Sequence, residues 1–90
     1  MTAYRAFPAA DFAPPVLVYP FTLVYHRASG QTHMLAEPAP EILEALAQGE
    51  GDAATISSRL AERFGLEDDA EALIAARLAE LAGLGLIEAL

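Results

Sequence analysis

The sequence contains no cysteine, and this absence excludes several kinds of chemistry at once. Without cysteine there is no disulfide, no thiolate nucleophile and no cysteine-ligated zinc or iron–sulfur site. No apolar run reaches membrane-spanning length either, because residues 16–25 make a run of about ten residues and a spanning helix needs about twenty. Residues 1–5 also lack the multi-charged start of an export signal. We therefore expect a cytoplasmic protein.

Positive charge is scarce. The chain has 13 acidic residues against 5 Lys and Arg, which gives a net charge of −8. Residues 37–90 hold 12 of the acids and 3 of the arginines, a balance of −9, whereas residues 1–36 carry +1. Such a surface repels the phosphates of nucleic acids and anionic lipids. The predicted partner is therefore a basic or neutral polypeptide, with no nucleic acid and no membrane.

The length of 90 residues suits one domain and leaves no room for a separate substrate domain. Residues 1–15 contain three prolines and no sustained period of 2 or 3.6, so we predict an N-terminal arm there. The folded domain is predicted to span residues 16–90. Since 54% of the residues are hydrophobic, the chain has enough apolar side chains to build one core.

Local patterns predict an α+β fold, with a three-stranded antiparallel sheet followed by three helices in a winged helix-turn-helix-like domain. Runs of β-branched and aromatic residues predict strands at 16–19, 21–26 and 31–36, with Gly30 in the second turn. Apolar stripes between capping residues predict helices at 39–47, 53–64 and 68–82. Asp52 is the expected N-cap and Gly65 the expected C-terminal residue of the second helix. The apolar tail after Gly83 is expected to fold back as a short strand or turn.

The expected core consists of apolar residues on the inward faces of these elements. Its members are Leu23, Tyr25, Leu35, Ile42, Leu43, Leu46, Ile56, Leu60, Phe64, Ile74, Leu78, Leu81 and Ile87.

Catalysis and metal binding find little support. The two histidines, His26 and His33, flank the turn that contains Ser29, but a hydroxyl between two strands of so small a protein lacks the walls that position a substrate. Antiparallel pairing would bring the histidines close enough for two metal ligands, with Glu37 as a third, yet two ligands do not make a site. We predict no enzyme activity, no metal and no cofactor.

DNA reading is also disfavoured, although the layout of the helices is typical of DNA-binding domains. The last predicted helix would enter the major groove in such a domain. Its polar residues sum to a charge of −3, since they are Asp68, Asp69, Glu71, Arg77 and Glu80.

The turn segment carries a resemblance to a known family. Residues 25–35 contain a Ser-Gly-x-Thr-His-x-Leu pattern made by Ser29, Gly30, Thr32, His33 and Leu35. This resembles the strand–turn–strand signature of the PqqD-like family, in particular the PqqD family peptide chaperones of the HPr-rel-A system. The resemblance continues through the helices and covers roughly residues 16–88.

The resemblance implies a precursor-peptide recognition element that presents its ligand to a modifying enzyme. The leader of a ribosomally made peptide would add as a strand in a groove between the third strand and the third helix. The residues implied to contact it on the strand are Gln31, Thr32, His33, Met34 and Leu35. On the helix, the stripe beside the core is the favoured wall over the alanine-rich flank, and it consists of Leu73, Arg77, Glu80 and Leu84. Two interpretations of Arg77 stay open: a contact to an acidic ligand residue, or i,i+3 or i,i+4 contacts with Glu80 or Leu73 on a solvated face.

Physical reasoning also singles out the third strand. It is expected at a sheet edge, and between Gln31 and Ala36 it has no lysine or proline to block pairing. An apolar, uncharged edge is suited to a peptide or to another copy of the chain. Homodimerisation through this edge, or through the N-terminal arm, is therefore the alternative prediction.

Overall fold

A computed structural model describes residues 2–65 and 71–90, and for Phe64 only the backbone. The described elements, in chain order, are β1 (Ala3–Ala6), a 3-10 turn (Ala9–Asp11), β2 (Val16–Val18), β3 (Phe21–His26), β4 (Gln31–Ala36), α1 (Ala39–Leu46), β5 (Gly51–Asp52), α2 (Ala53–Phe64), α3 (Glu71–Gly83) and β6 (Ile87–Ala89). Among the helices in these two stretches, none combines the length and apolarity that crossing a bilayer requires.

The main sheet has the order β2-β3-β4, and both neighbouring pairs are antiparallel. In the β3–β4 hairpin, Phe21 lies opposite Ala36 and His26 lies opposite Gln31. Gly30 closes the hairpin with φ +71°, a conformation that glycine adopts without the steric cost other residues have. Three helices follow this sheet, so the predicted α+β architecture is confirmed. The winged-helix likeness is compatible with this arrangement and stays a prediction.

The two faces of this sheet differ from the predicted ones. Val24 is buried and Leu23 only partly so, while Tyr25 is 40% exposed. Because side chains alternate along a strand, burial of Val24 turns both of its neighbours to the opposite face. The prediction that Leu23 and Tyr25 belong to the core was therefore wrong. Helix α1 follows β4 directly and covers the face that carries Val24 and Leu35, which fixes that face as the inner one.

Helix α2 begins and ends at residues with local capping signals. The side chain of Asp52 accepts a hydrogen bond from the backbone N–H of Thr55 at 2.9 Å, as expected of an N-cap. Gly65 ends α2 in the left-handed conformation, with φ +69°. The predicted start of the third helix at Asp68 lies outside the described residues, and its described part ends at Gly83.

An arginine on α2 stabilises the carboxyl end of α1. Arg59 donates from Nη1 to the carbonyl oxygens of Ala45 at 3.2 Å and Gly49 at 2.6 Å. The last carbonyl groups of a helix have no partner within the helix, so a guanidinium is well suited to bind them. This contact joins α1 to α2 beside the core.

One hydrophobic core joins the sheet and the three helices. Nine predicted core residues are buried there, namely Leu35, Ile42, Leu46, Ile56, Leu60, Ile74, Leu78, Leu81 and Ile87. Leu43 packs against the core while partly exposed, and the side chain of Phe64 lies outside the described part. Buried residues that the sequence analysis did not include are Val24, Ala39, Ala45 and Leu86.

A second small sheet, with the order β5-β1-β6, involves the chain start. In it, β1 pairs antiparallel with β6, where Tyr4 lies opposite Ala89, and with β5, where Tyr4 lies opposite Gly51. Arg5 of β1 also pairs with Glu88 of β6 at 2.6 Å. Residues 3–6 thus form a strand, which was not predicted when residues 1–15 were interpreted as an arm. The apolar tail folds back as β6, in agreement with the prediction.

Candidate functional site

Strand β4 is the terminal strand of the main sheet. It pairs with β3 along its whole length, and among the described residues no strand pairs with its other side. Successive residues of a strand direct their N–H and C=O groups to opposite sides. Every second residue of Gln31–Ala36 therefore presents an unpaired donor and acceptor at this edge. Such an edge is a template for another strand.

Side chains on the two faces of β4 have different surroundings. Leu35 lies on the inner face and is only 6% exposed, whereas Met34 lies on the outer face and is 63% exposed. The side chain of Leu35 thus belongs to the core and is not free for a ligand. Gln31 and Thr32 are exposed.

His33 has an unsatisfied nitrogen. It lies opposite Val24 in the hairpin, and its Nε2 atom is buried with no hydrogen-bond partner among the described residues. Most buried polar atoms in proteins have such a partner. This nitrogen is therefore unsatisfied on the inner face of β4, and because it is buried it is not exposed to a ligand at the strand edge.

The predicted wall on α3 is a surface stripe. Leu73 is 47% exposed and Leu84, just beyond the helix, is 50% exposed. Between them the guanidinium of Arg77 donates to Glu80, one helical turn away, and both side chains are exposed. The structure therefore contains the i,i+3 contact that was one of the two interpretations of Arg77. It leaves a pair of opposite charges flanked by two apolar residues.

Strand β4 and helix α3 contribute to one core, in which Leu35 of β4 joins Ile74, Leu78 and Leu81 of α3; of the nine predicted contact residues, only Leu35 belongs to it. Two described cavities contain none of the nine predicted contact residues. Strand addition uses a main-chain edge and does not require a closed cavity. The role of the nine residues as a peptide site accordingly stays a prediction.

Ser29 of the sequence motif has a structural role in the turn. Its hydroxyl lies 3.0 Å from Nδ1 of His26, and it accepts a hydrogen bond from the backbone N–H of Gln31 at 3.3 Å. His33 lies diagonal to His26 across the hairpin, because the partner of His26 is Gln31. Within residues 2–65 and 71–90, no group of three or more His, Asp or Glu side chains has a metal-binding arrangement.

The larger of the two cavities lies against the inner face of the main sheet and was not predicted. It has a volume of about 640 Å³ and lies between residues 6–15, β3 and α1. The aromatic residues of the arm were the one signal for it in the sequence, since Phe7 and Phe12 line the cavity. Both rings stack on His26, with centroids 6.4 Å and 5.0 Å away.

Comparison with known proteins gives one match. Searches of curated proteins and of solved structures found no significant similarity to this chain. The family model described as coenzyme PQQ synthesis protein D (PqqD) matches residues 16–87, which includes the main sheet, the three helices and the start of β6. The match spans most of the chain and includes the turn motif on which the resemblance was based. The chain therefore belongs to the PqqD family.

Proposed function

We propose that this protein is a non-catalytic peptide chaperone, which binds the leader of a ribosomally made precursor peptide along β4 and presents it to a modifying enzyme. PqqD-family proteins bind such precursors and act beside modifying enzymes. The observation that carries the finer proposal is the unpaired, uncharged edge of β4.

The mode of binding is strand addition. Main-chain hydrogen bonds from the leader to alternate residues of β4 supply affinity that is independent of sequence. Selectivity comes from side chains, because alternate residues of the added strand face α3. There Leu73 and Leu84 offer apolar contacts, and the Arg77–Glu80 pair offers one charge of each sign.

A pair of proline substitutions tests the edge. Each substitution removes the N–H of the residue that it replaces. Because His33 and Met34 are adjacent in β4, their N–H groups point to opposite sides: His33→Pro loses a hydrogen bond to β3, whereas Met34→Pro loses an unpaired group at the free edge. We expect the first to melt at a lower temperature. The second should keep its fold by circular dichroism and lose at least tenfold in affinity for the leader, measured by calorimetry. The peptide used as the leader in this measurement is the one that co-purifies with the wild-type chain from its native host.

Other outcomes decide against the proposal. A folded proline variant that binds the leader as tightly as the wild type would place the peptide elsewhere. If the wild-type chain instead forms a concentration-dependent dimer in sedimentation, and the same folded proline variant is a monomer, the edge serves self-association. Deletion of residues 1–15 is a poorer test of dimerisation, because it removes β1 from between β5 and β6.

A further inference from the structure

The cavity of about 640 Å³ is bounded on three sides by different parts of the chain. Thr22 and Val24 of β3 form its floor, and Leu43 of α1 forms one wall together with Ala47, just beyond the helix. Residues 6–15 cover it. Its volume falls within the range of about 300–1,000 Å³ that small-ligand sites occupy, and its lining is mainly apolar.

The covering segment is fastened at both ends. At one end, β1 is held between two strands. At the other, the N–H of Ala13 donates to the carbonyl oxygen of Tyr25 at 3.1 Å, and the N–H of Arg27 donates to that of Asp11 at 2.8 Å. These contacts hold residues 7–10 over the cavity without filling it. The cavity is thus bounded by fixed parts of the fold and is open to solvent on its remaining side.

Only three residues with polar side chains line this cavity, namely Thr22, Arg27 and Glu44. The carboxylate of Glu44 already accepts a hydrogen bond from Arg63 at 2.7 Å. The guanidinium of Arg27 is exposed and makes no hydrogen bond or ion pair within the described part of the chain. It is therefore the charged group at the cavity that is free to bind a ligand.

The other arginines are all engaged, which makes Arg27 distinctive. Arg5 pairs with Glu88, Arg77 pairs with Glu80, Arg63 pairs with Glu44, and Arg59 binds carbonyl oxygens. In a chain with a net charge of −8, a free guanidinium beside an apolar cavity favours a ligand with one negative charge and a large apolar body. A multiply charged phosphate fits poorly, because the chain's overall field repels it and one guanidinium does not compensate.

We propose that this cavity is a second ligand site, which binds an apolar acid whose body contacts Phe7, Phe12 and Leu43 and whose carboxylate pairs with Arg27. Guanidinium and carboxylate match in charge and in hydrogen-bond geometry. The same chemistry is present in a free aliphatic acid and in a peptide that ends in an apolar residue. The site is independent of the strand-addition proposal, because no residue of β4 lines it.

Calorimetry with two pairs of probes tests the site. The first pair is dodecanoate and dodecanol, and the second is a short peptide ending in Leu-Phe with a free or an amidated carboxyl end. We expect one of the two acids to bind, and Arg27→Gln to weaken that acid about fivefold without weakening its uncharged analogue. Arg5→Gln, which removes an exposed arginine that does not line the cavity, is the matched control and should leave binding unchanged.

A second variant tests the cavity itself. Ala47 is exposed at the end of α1, so Ala47→Phe places a ring at the cavity without disturbing the core. This variant should keep the wild-type circular dichroism spectrum and lose both the acid and its analogue. Failure of both acids to bind, equal losses in Arg27→Gln and Arg5→Gln, or wild-type binding by a folded Ala47→Phe would each overturn the proposal.

Discussion

Two leucines on one helix test the packing of α3. Leu78 is fully buried in the core, whereas Leu73, on the same helix, is 47% exposed. Leu78→Ala removes three carbons, worth about 2.4 kcal/mol of transfer free energy. The void that remains adds to this, so we expect a total loss of about 3–4 kcal/mol. A domain of this size has a free energy of unfolding of roughly 5–13 kcal/mol, so this one truncation removes a large part of it.

Urea titration followed by far-UV circular dichroism measures the effect. With a slope of about 1 kcal/mol per molar urea, the midpoint of Leu78→Ala should fall by about 3 M. Leu73→Ala is the matched control, and because its side chain is half in solvent it should lose less than about 1 kcal/mol. Equal midpoints for the two variants would show that α3 does not face the core as described.

Further substitutions test three local features. Asp52→Ala removes the cap on α2 and should lower the melting temperature. Hydrogen bonds from Thr55 lower the pKa of Asp52 in the folded state, so the cap should stabilise the protein above the unfolded pKa of Asp52, and this stabilisation should disappear as the pH falls through the lower folded pKa. Gly65→Ala places a Cβ at φ +69° and should cost about 1 kcal/mol, whereas Gly83→Ala, without positive φ or a close neighbour, should not destabilise. Burial, and to a smaller extent nearby acids, raise the pKa of Glu41, so its ionised form is disfavoured in the folded state. Glu41→Gln should therefore raise the melting temperature at pH 7, and this gain should vanish below about pH 4. An unchanged melting temperature at pH 7 would refute the burial of this carboxylate.

Local signals explain which parts of the fold were predictable. Asp52 and Gly65 bound α2 through contacts made within a few residues, so the helix limits follow from the sequence. The sequence did not show which face of β3 is buried, because β3 is an almost continuous apolar run without clear alternation, made by Phe21, Leu23, Val24 and Tyr25. The polar residue in that run, Thr22, lies on the inner face and lines the cavity.

The features that were not predicted depend on pairing between distant parts of the chain. Strand β1 has four residues, and its partners lie near the middle and the end of the chain, so no short-range pattern predicts it. The cavity depends on the position of β1, because the segment that covers it starts there. The β4 edge was predictable, since the turn motif and the absence of blocking residues both occur within residues 29–36. The pairing of Arg77 with Glu80 depends on rotamers, which the sequence left open.

The most direct test of strand addition is nuclear magnetic resonance on the labelled full-length chain with the leader peptide bound. The account predicts amide shift changes at β4 and α3, together with cross-strand nuclear Overhauser contacts between the peptide backbone and residues 31–36. A saturated complex whose shift changes are confined to α1 and residues 1–15, with no contact to β4, would contradict it.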